Sequence, residues 1–169
     1  MDPWEFRNDG TIIAIDPGTT QSAMVCWDGK KVIGFTKNEN VFIRNQLREA
    51  KRECTLVIEE INPYTMGKSI RDTILWSGVF QEVWENQYRP VEYIPRREVI
   101  GHLCGVKSGV GDSVVVQALR DRFAYGVRNY GKGTKKEPGF FYGFKKDIWQ
   151  AFALAVTWMD ANGELGDLN

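Results

Sequence analysis

Histidine is almost missing from this chain: His102 is the only one in 169 residues. A Ser-His-Asp triad or a Cys/His metal cluster therefore has little to build on. Cysteine is scarce as well. Cys26, Cys54 and Cys104 are odd in number and widely spaced, two of them in apolar, strand-like runs. They read as reduced core thiols of a cytoplasmic protein, which excludes a disulfide framework and argues against zinc. Net charge is absent too, because 22 Lys and Arg balance 22 Asp and Glu. Nothing global demands nucleic acid, so any such contact must come from local patches. No apolar run approaches the ~20 residues of a membrane span, and no signal peptide is visible. If this chain does chemistry, carboxylates must carry it.

What is present is the composition of a globular protein, 43% hydrophobic and 26% charged, at a length that suits one domain and not two. Residues 1–10 carry Pro3, Trp4 and Phe6 without a period and read as a flexible arm; residues 11–169 are expected to form the single domain. The domain opens with Thr11-Ile12-Ile13-Ala14-Ile15-Asp16, a run of β-formers that delivers one carboxylate to its end. Pro17-Gly18-Thr19-Thr20 then stops the strand. Residues 21–27 read as a second strand, Asp28-Gly29 as a hairpin turn and residues 31–35 as a third strand. Val41, Ile43, Leu47 and Ala50 recur at helical spacing, predicting a helix over 41–51. Residues 55–61 (Thr-Leu-Val-Ile-Glu-Glu-Ile) form a short apolar run ending in acid, a buried strand reached by a helical crossover and hence parallel to the first.

A long helix is predicted over 68–86, where Gly78 costs about 1 kcal/mol relative to Ala and suggests a close packing contact. A short strand over 90–94 is closed by Pro95, and a short helix follows over 96–104. Residues 105–111 form a loop, Asp112 or Ser113 caps a helix to about Phe123, and residues 125–143 read as a loop or mobile flap. The last helix, 146–160, is apolar nearly all round and so largely buried. Three antiparallel strands, a helix, a parallel strand, and further helices and a strand make an α/β mixed sheet of the ribonuclease H type.

Four acids stand where chemistry could use them. Asp16 and Glu59 each end an apolar strand, while Asp112 and Asp147 each open a helix, where the free N–H groups favour a carboxylate. The alternative for Asp112 is a plain helix cap. Glu59 competes with Glu60, since strand side chains alternate and only one of the two faces inward. Clustered carboxylates without histidine or cysteine favour a hard cation, Mg²⁺ or Mn²⁺. Two such ions would neutralise the cluster, one activating a water and the other stabilising the leaving oxygen of a phosphodiester.

Ile15-Asp16-Pro17-Gly18-Thr19-Thr20 resembles the first motif of RuvC-type Holliday-junction resolvases. Val57-Ile58-Glu59-Glu60-Ile61 is similar to their second, and residues 146–155 to their C-terminal acidic helix. More narrowly, residues 111–119 and 133–139 resemble stretches of diverged RuvC-like proteins from bacteriophages and prophages, which would place the protein in a bacterial host's cytoplasm. The resemblance implies that Asp16, Glu59 and Asp147 bind two Mg²⁺ or Mn²⁺ ions and cleave four-way DNA junctions as a homodimer. It also exposes a departure: relatives usually carry an acid three residues after the Asp147 position, and this chain has Gln150, whose carbonyl can ligate but supplies no charge. Asp112 is the candidate to compensate, and Lys107 a candidate cation.

Positive charge is local. Arg96 and Arg97, Lys107, and then Lys132, Lys135, Lys136, Lys145 and Lys146 are the candidate DNA contacts. The last group is interleaved with Tyr125, Tyr130, Phe140, Phe141, Tyr142 and Phe144, which either stack on unpaired bases or dock the loop on the core. The rival readings are a catalytically impaired branched-DNA-binding protein, motivated by Gln150, and an RNA-processing nuclease on the same fold. A nucleotide-binding actin-like ATPase is set aside because 169 residues cannot supply its second domain.

Overall fold

The structure is a computed structural model, and it describes residues 10–50, 54–62, 67–87, 90–106 and 108–162. Most of the expected arm, and Lys107, lie outside the described residues. Five strands form one sheet in the order β3-β2-β1-β4-β5: β1 Ile12–Asp16, β2 Gln21–Trp27, β3 Val32–Glu39, β4 Thr55–Glu60 and β5 Glu92–Pro95. The first three pair antiparallel, while β4 runs parallel to β1 and β5 parallel to β4. The helices are α1 Asn40–Glu49, α2 Lys68–Glu85, α3 Arg96–Cys104, α4 Asp112–Ala124 and α5 Ile148–Asn162. This is the ribonuclease H-like mixed sheet that the element order predicts.

Strand alternation divides the core in two. Ile13, Ile15, Met24, Leu56 and Ile58 face Ile43 and Leu47 of α1 and Phe80 and Trp84 of α2. Ile12, Ala14, Val25 and Val57 face α5. That helix packs on β1 and β2 on one side and on α3 and α4 on the other. Being covered on both sides, it tolerates a nearly unbroken apolar sequence: residues 148–157 are all buried.

Four local expectations are corrected. The third strand does not stop at Phe35 but runs to Glu39, paired with β2 throughout, because β2 supplies a partner as far as Gln21. Gly78 has no close neighbour and is exposed, so no packing contact requires it. The last helix begins at Ile148, not at 146. The segment 125–143 is not a free flap. It holds a 3-10 turn at Arg128–Gly131 and a bridge between Gly133 and Pro138, and its aromatics anchor it. Phe140 and Phe141 pack with Trp27, Phe123, Phe144, Trp149 and Phe152, with ring centroids about 4.6–6.1 Å apart. Docking on the core is therefore the role of the phenylalanines, while Tyr125, Tyr130 and Tyr142 stay exposed. Of the described residues, no helix is long and apolar enough to cross a membrane.

Candidate active site at the ends of the central strands

The parallel register of β1 and β4 aligns Ala14 with Val57 and Ile15 with Ile58, and one further step brings Asp16 level with Glu59. Across β2, Asp16 pairs with Ala23, and Ala23 pairs with Lys37. Cross-strand partners share a face. One row therefore reads Lys37, Ala23, Asp16, Glu59, and it lies on the side of the sheet covered by α5. The alternation also settles the choice between neighbours, since Glu59 is 9% exposed and Glu60 points to solvent.

The turn after Asp16 is fixed by buried polar side chains. The Ser22 hydroxyl donates to Asn40 Oδ1 at 2.6 Å and accepts from the Gly18 N–H at 3.1 Å, while Asn40 Nδ2 donates to the Gly18 carbonyl at 3.0 Å. A Cβ on Gly18 would sit 2.2 Å from the Gln21 carbonyl oxygen, so only glycine fits.

The two strand acids are held up by burial and by neighbouring charge. Burial pushes the Asp16 carboxyl well above its ordinary value, and the charges of Glu59 and Asp147 push it further, while Arg96 draws it partly back. Burial likewise raises Glu59, and Asp112 and Asp147 add to this; a hydrogen bond from Asp16 and the charge of Arg96 oppose it. Both carboxyls are thus pushed the same way, upward, with burial the largest cause.

The helix acids have cations of their own. Asp147 accepts from the Lys37 ammonium, and Asp112 accepts from Arg96 Nη2. Asp147 directly follows Lys146, a non-glycine residue at φ 47°, and its carbonyl accepts the Ala151 N–H at 3.0 Å, so it stands at the mouth of α5. A left-handed non-glycine residue at the entry of the helix is local strain held by its surroundings. Asp112 is the first residue of α4, and Gly111 occupies the cap position without a side-chain bond, which corrects the cap reading of Asp112 and Ser113.

Arg96, expected from sequence as a DNA contact, points into the acidic cluster. Its Nη1 donates to Gln150 Oε1 at 2.5 Å and lies 3.8 Å from Glu59 Oε1. It is held inside the acidic cluster, and Gln150, 7% exposed, spends its carbonyl on it. Arg97, Lys132, Lys135, Lys136, Lys145 and Lys146 are exposed. Three residues were missed from sequence as members of the site and its turn. Lys37 would have been found by extending the third strand by two residues, and the turn clamp of Ser22 and Asn40 has no sequence signal of its own.

The donor set fits a hard divalent cation: Asp16, Glu59, Asp147 and Asp112 are all oxygen donors, and burial beside one another raises the two strand acids. Among the described residues, no three acidic, histidine or cysteine side chains stand close enough to hold an ion as they are. Lys37 and Arg96 hold the remaining acids.

No protein-family model and no curated protein sequence matches the chain. Solved structures do. The chain is similar to the Thermus thermophilus RuvC structure with a TM-score of 0.64 and 17% identity, over 92% of this chain and 96% of that one. A second similar structure is T. thermophilus RuvC in complex with Holliday junction substrate, with a TM-score of 0.56 and 14% identity over the same shares. At these identities the likeness is one of fold, and in fold this chain is RuvC-like.

Proposed function

We propose that the protein is a divalent-cation-dependent endonuclease that cuts branched DNA at four-way junctions. The observation that carries this reading is the placement of Asp16 and Glu59 side by side at the ends of adjacent parallel strands, under α5, with Asp147 at the mouth of that helix. Buried carboxylates that repel one another are costly unless a cation joins them. The structural neighbour solved with Holliday junction substrate supports the choice of DNA substrate.

Asp16 and Glu59 would hold Mg²⁺ or Mn²⁺, with Asp147 turning from Lys37 to join them and Asp112 at the rim. The ion supplies a polarised water and a counter-charge for the phosphate. Hydrolysis would add a water across one P–O bond: its oxygen would bond to phosphorus and one of its protons would pass to bulk water, Asp16 and Glu59 being committed to the ion. The ester bond to the sugar oxygen breaks with its electron pair, and that oxygen takes a proton from solvent. The exposed lysines at 132, 135, 136, 145 and 146, with Arg97, line up phosphates around the site. Two-fold symmetric junctions need paired nicks, so the acting unit in this reading is a homodimer.

The test incubates the protein with a synthetic four-way junction, a matched linear duplex and RNA, with and without Mg²⁺. Selective, Mg²⁺-dependent cutting of the junction is expected. Equal cutting of all three, or undiminished cutting by Asp16→Asn, would sink the proposal. The uncharged Gln150 favours one second reading, a junction-binding protein without cleavage; tight binding with no nicks in Mg²⁺ or Mn²⁺ would select it.

A further inference from the structure

Gln150 lies one turn beyond the Asp147 position, where a second helix acid would complete a two-ion site. Here its carbonyl faces a guanidinium. Arg96 reaches three elements at once: Gln150 on α5 through Nη1 at 2.5 Å, Glu59 on β4 at 3.8 Å, and Asp112 on α4 through Nη2. A metal ion bridging a strand acid to helix ligands would span the same elements. We propose that Arg96 replaces one of the two divalent ions, so that each active site loads a single ion on the Asp16, Glu59 and Asp147 side while the arginine faces the substrate phosphate. This rests on the nuclease reading above.

Three observations converge on it. Charge is the first. With an ion bound, Asp16, Glu59, Asp112 and Asp147 would stand as four carboxylates against the two fixed cations Lys37 and Arg96, and the two negative charges left over are matched by one divalent ion. Placement is the second. Arg96 follows Pro95, the last residue of β5, whose pairing with Glu60 ties it to the sheet directly beside Glu59. The guanidinium is therefore part of the rigid frame, although its side chain is still 31% exposed. The chemistry of position 150 is the third. An acid there would add a second ion pair to the one with Asp112 and commit both prongs of the fork to carboxylates. The amide orients the guanidinium through one bond and leaves its charge in place. Arginine never deprotonates in this setting, and its planar fork matches two phosphate oxygens.

The experiment counts ions. Crystals of the protein with an uncleaved four-way junction are soaked in Mn²⁺, and anomalous difference peaks at the carboxylates are counted. In parallel, the order of the cleavage rate in Mg²⁺ is measured. The expected wild-type result is one peak per site and a first-order dependence on the ion. Arg96→Gln should admit a second ion and shift the rate towards second order. Arg96→Lys keeps the charge, so it should keep one peak while cutting about tenfold more slowly for lack of the fork. Two peaks in the wild type, one peak in Arg96→Gln, or two in Arg96→Lys would each overturn the proposal and leave the nuclease reading standing. Should Arg96→Gln fail to fold, the wild-type and Arg96→Lys counts decide alone. No peak and no cleavage in the wild type would remove the nuclease reading, and this inference with it.

Discussion

The acids at the strand ends and the acids at the helix starts live under opposite conditions. Asp16 and Glu59 are enclosed by the sheet, α5 and each other, and burial pushes both carboxyls up. Asp147 and Asp112 are 47% and 72% exposed at the side chain, and each leans on a cation of the chain itself. The sheet fixes the first pair by register, which leaves no way to relieve the repulsion by moving apart. Helix starts are looser, and their acids find partners. The strand pair is therefore where a cation is needed, and the helix pair is where it can be adjusted.

The largest expected effect lies on the strand side. Asp16→Asn should lower junction cleavage by roughly a hundred- to a thousandfold or more, as losing one preorganised electrostatic contact commonly does. It should also raise stability at pH 7 by about 1–2 kcal/mol, because it removes a buried carboxyl that the fold resists ionising. Metal-dependent cleavage and urea melts on the same preparation check both. A variant that lost activity and stability together would mean that Asp16 is structural, and the contrast between the two pairs would fall.

Asp147→Asn should come next, with cleavage reduced by about ten- to a hundredfold and stability nearly unchanged, since its partner Lys37 is only 26% exposed but the acid itself is half in water. If Asp147→Asn matched Asp16→Asn in both readouts, exposure would not distinguish the two pairs.

The pH dependence of folding separates them by sign. Asp16 is raised, so its contribution to stability is fully present below about pH 4 and is lost as pH rises through its folded value. Asp160, far from the site, runs the other way. Burial alone would raise it, but hydrogen bonds from Arg122 at 2.5 and 2.7 Å and from His102 at 2.6 Å outweigh that and hold it low. Its contribution is present above about pH 4 and is lost as pH falls through the depressed value. In urea melts across pH 3 to 8, Asp16→Asn should gain on the wild type as pH rises. Asp160→Asn should lose about 0.5–1 kcal/mol at neutral pH, discounted for partial exposure, and converge with the wild type in acid. Parallel curves for either variant would contradict the corresponding shift.

Much of this contrast was legible before any coordinates. Alternation along 12–16 and 55–60 put Asp16 and Glu59 on one face, and the element order gave the sheet that makes them neighbours. The rest depended on tertiary partners that no local pattern encodes. The length of β3 is set by β2, so Lys37 stayed hidden in what looked like a loop. Arg96 read as one of several surface cations because its neighbours, Gln150 and Asp112, lie 54 and 16 residues away. Asp112 read as a cap because helix starts favour Asp, whereas the cap position fell to Gly111. Pairings across long separations are where composition and period stop being informative.

Asp112 itself should give the smallest effect. It is the most exposed of the four acids, and it pairs with Arg96. Exposed pairs contribute little to stability, so Asp112→Asn should change it by less than about 0.5 kcal/mol. The substitution does release one prong of Arg96 and lowers the negative charge beside Glu59, which makes cleavage fall by only about two- to fivefold. The same change then distinguishes rim from ligand: if Asp112→Asn abolished cleavage as Asp16→Asn does, Asp112 would have to reach the ion directly. It would then belong with the strand acids despite its exposure.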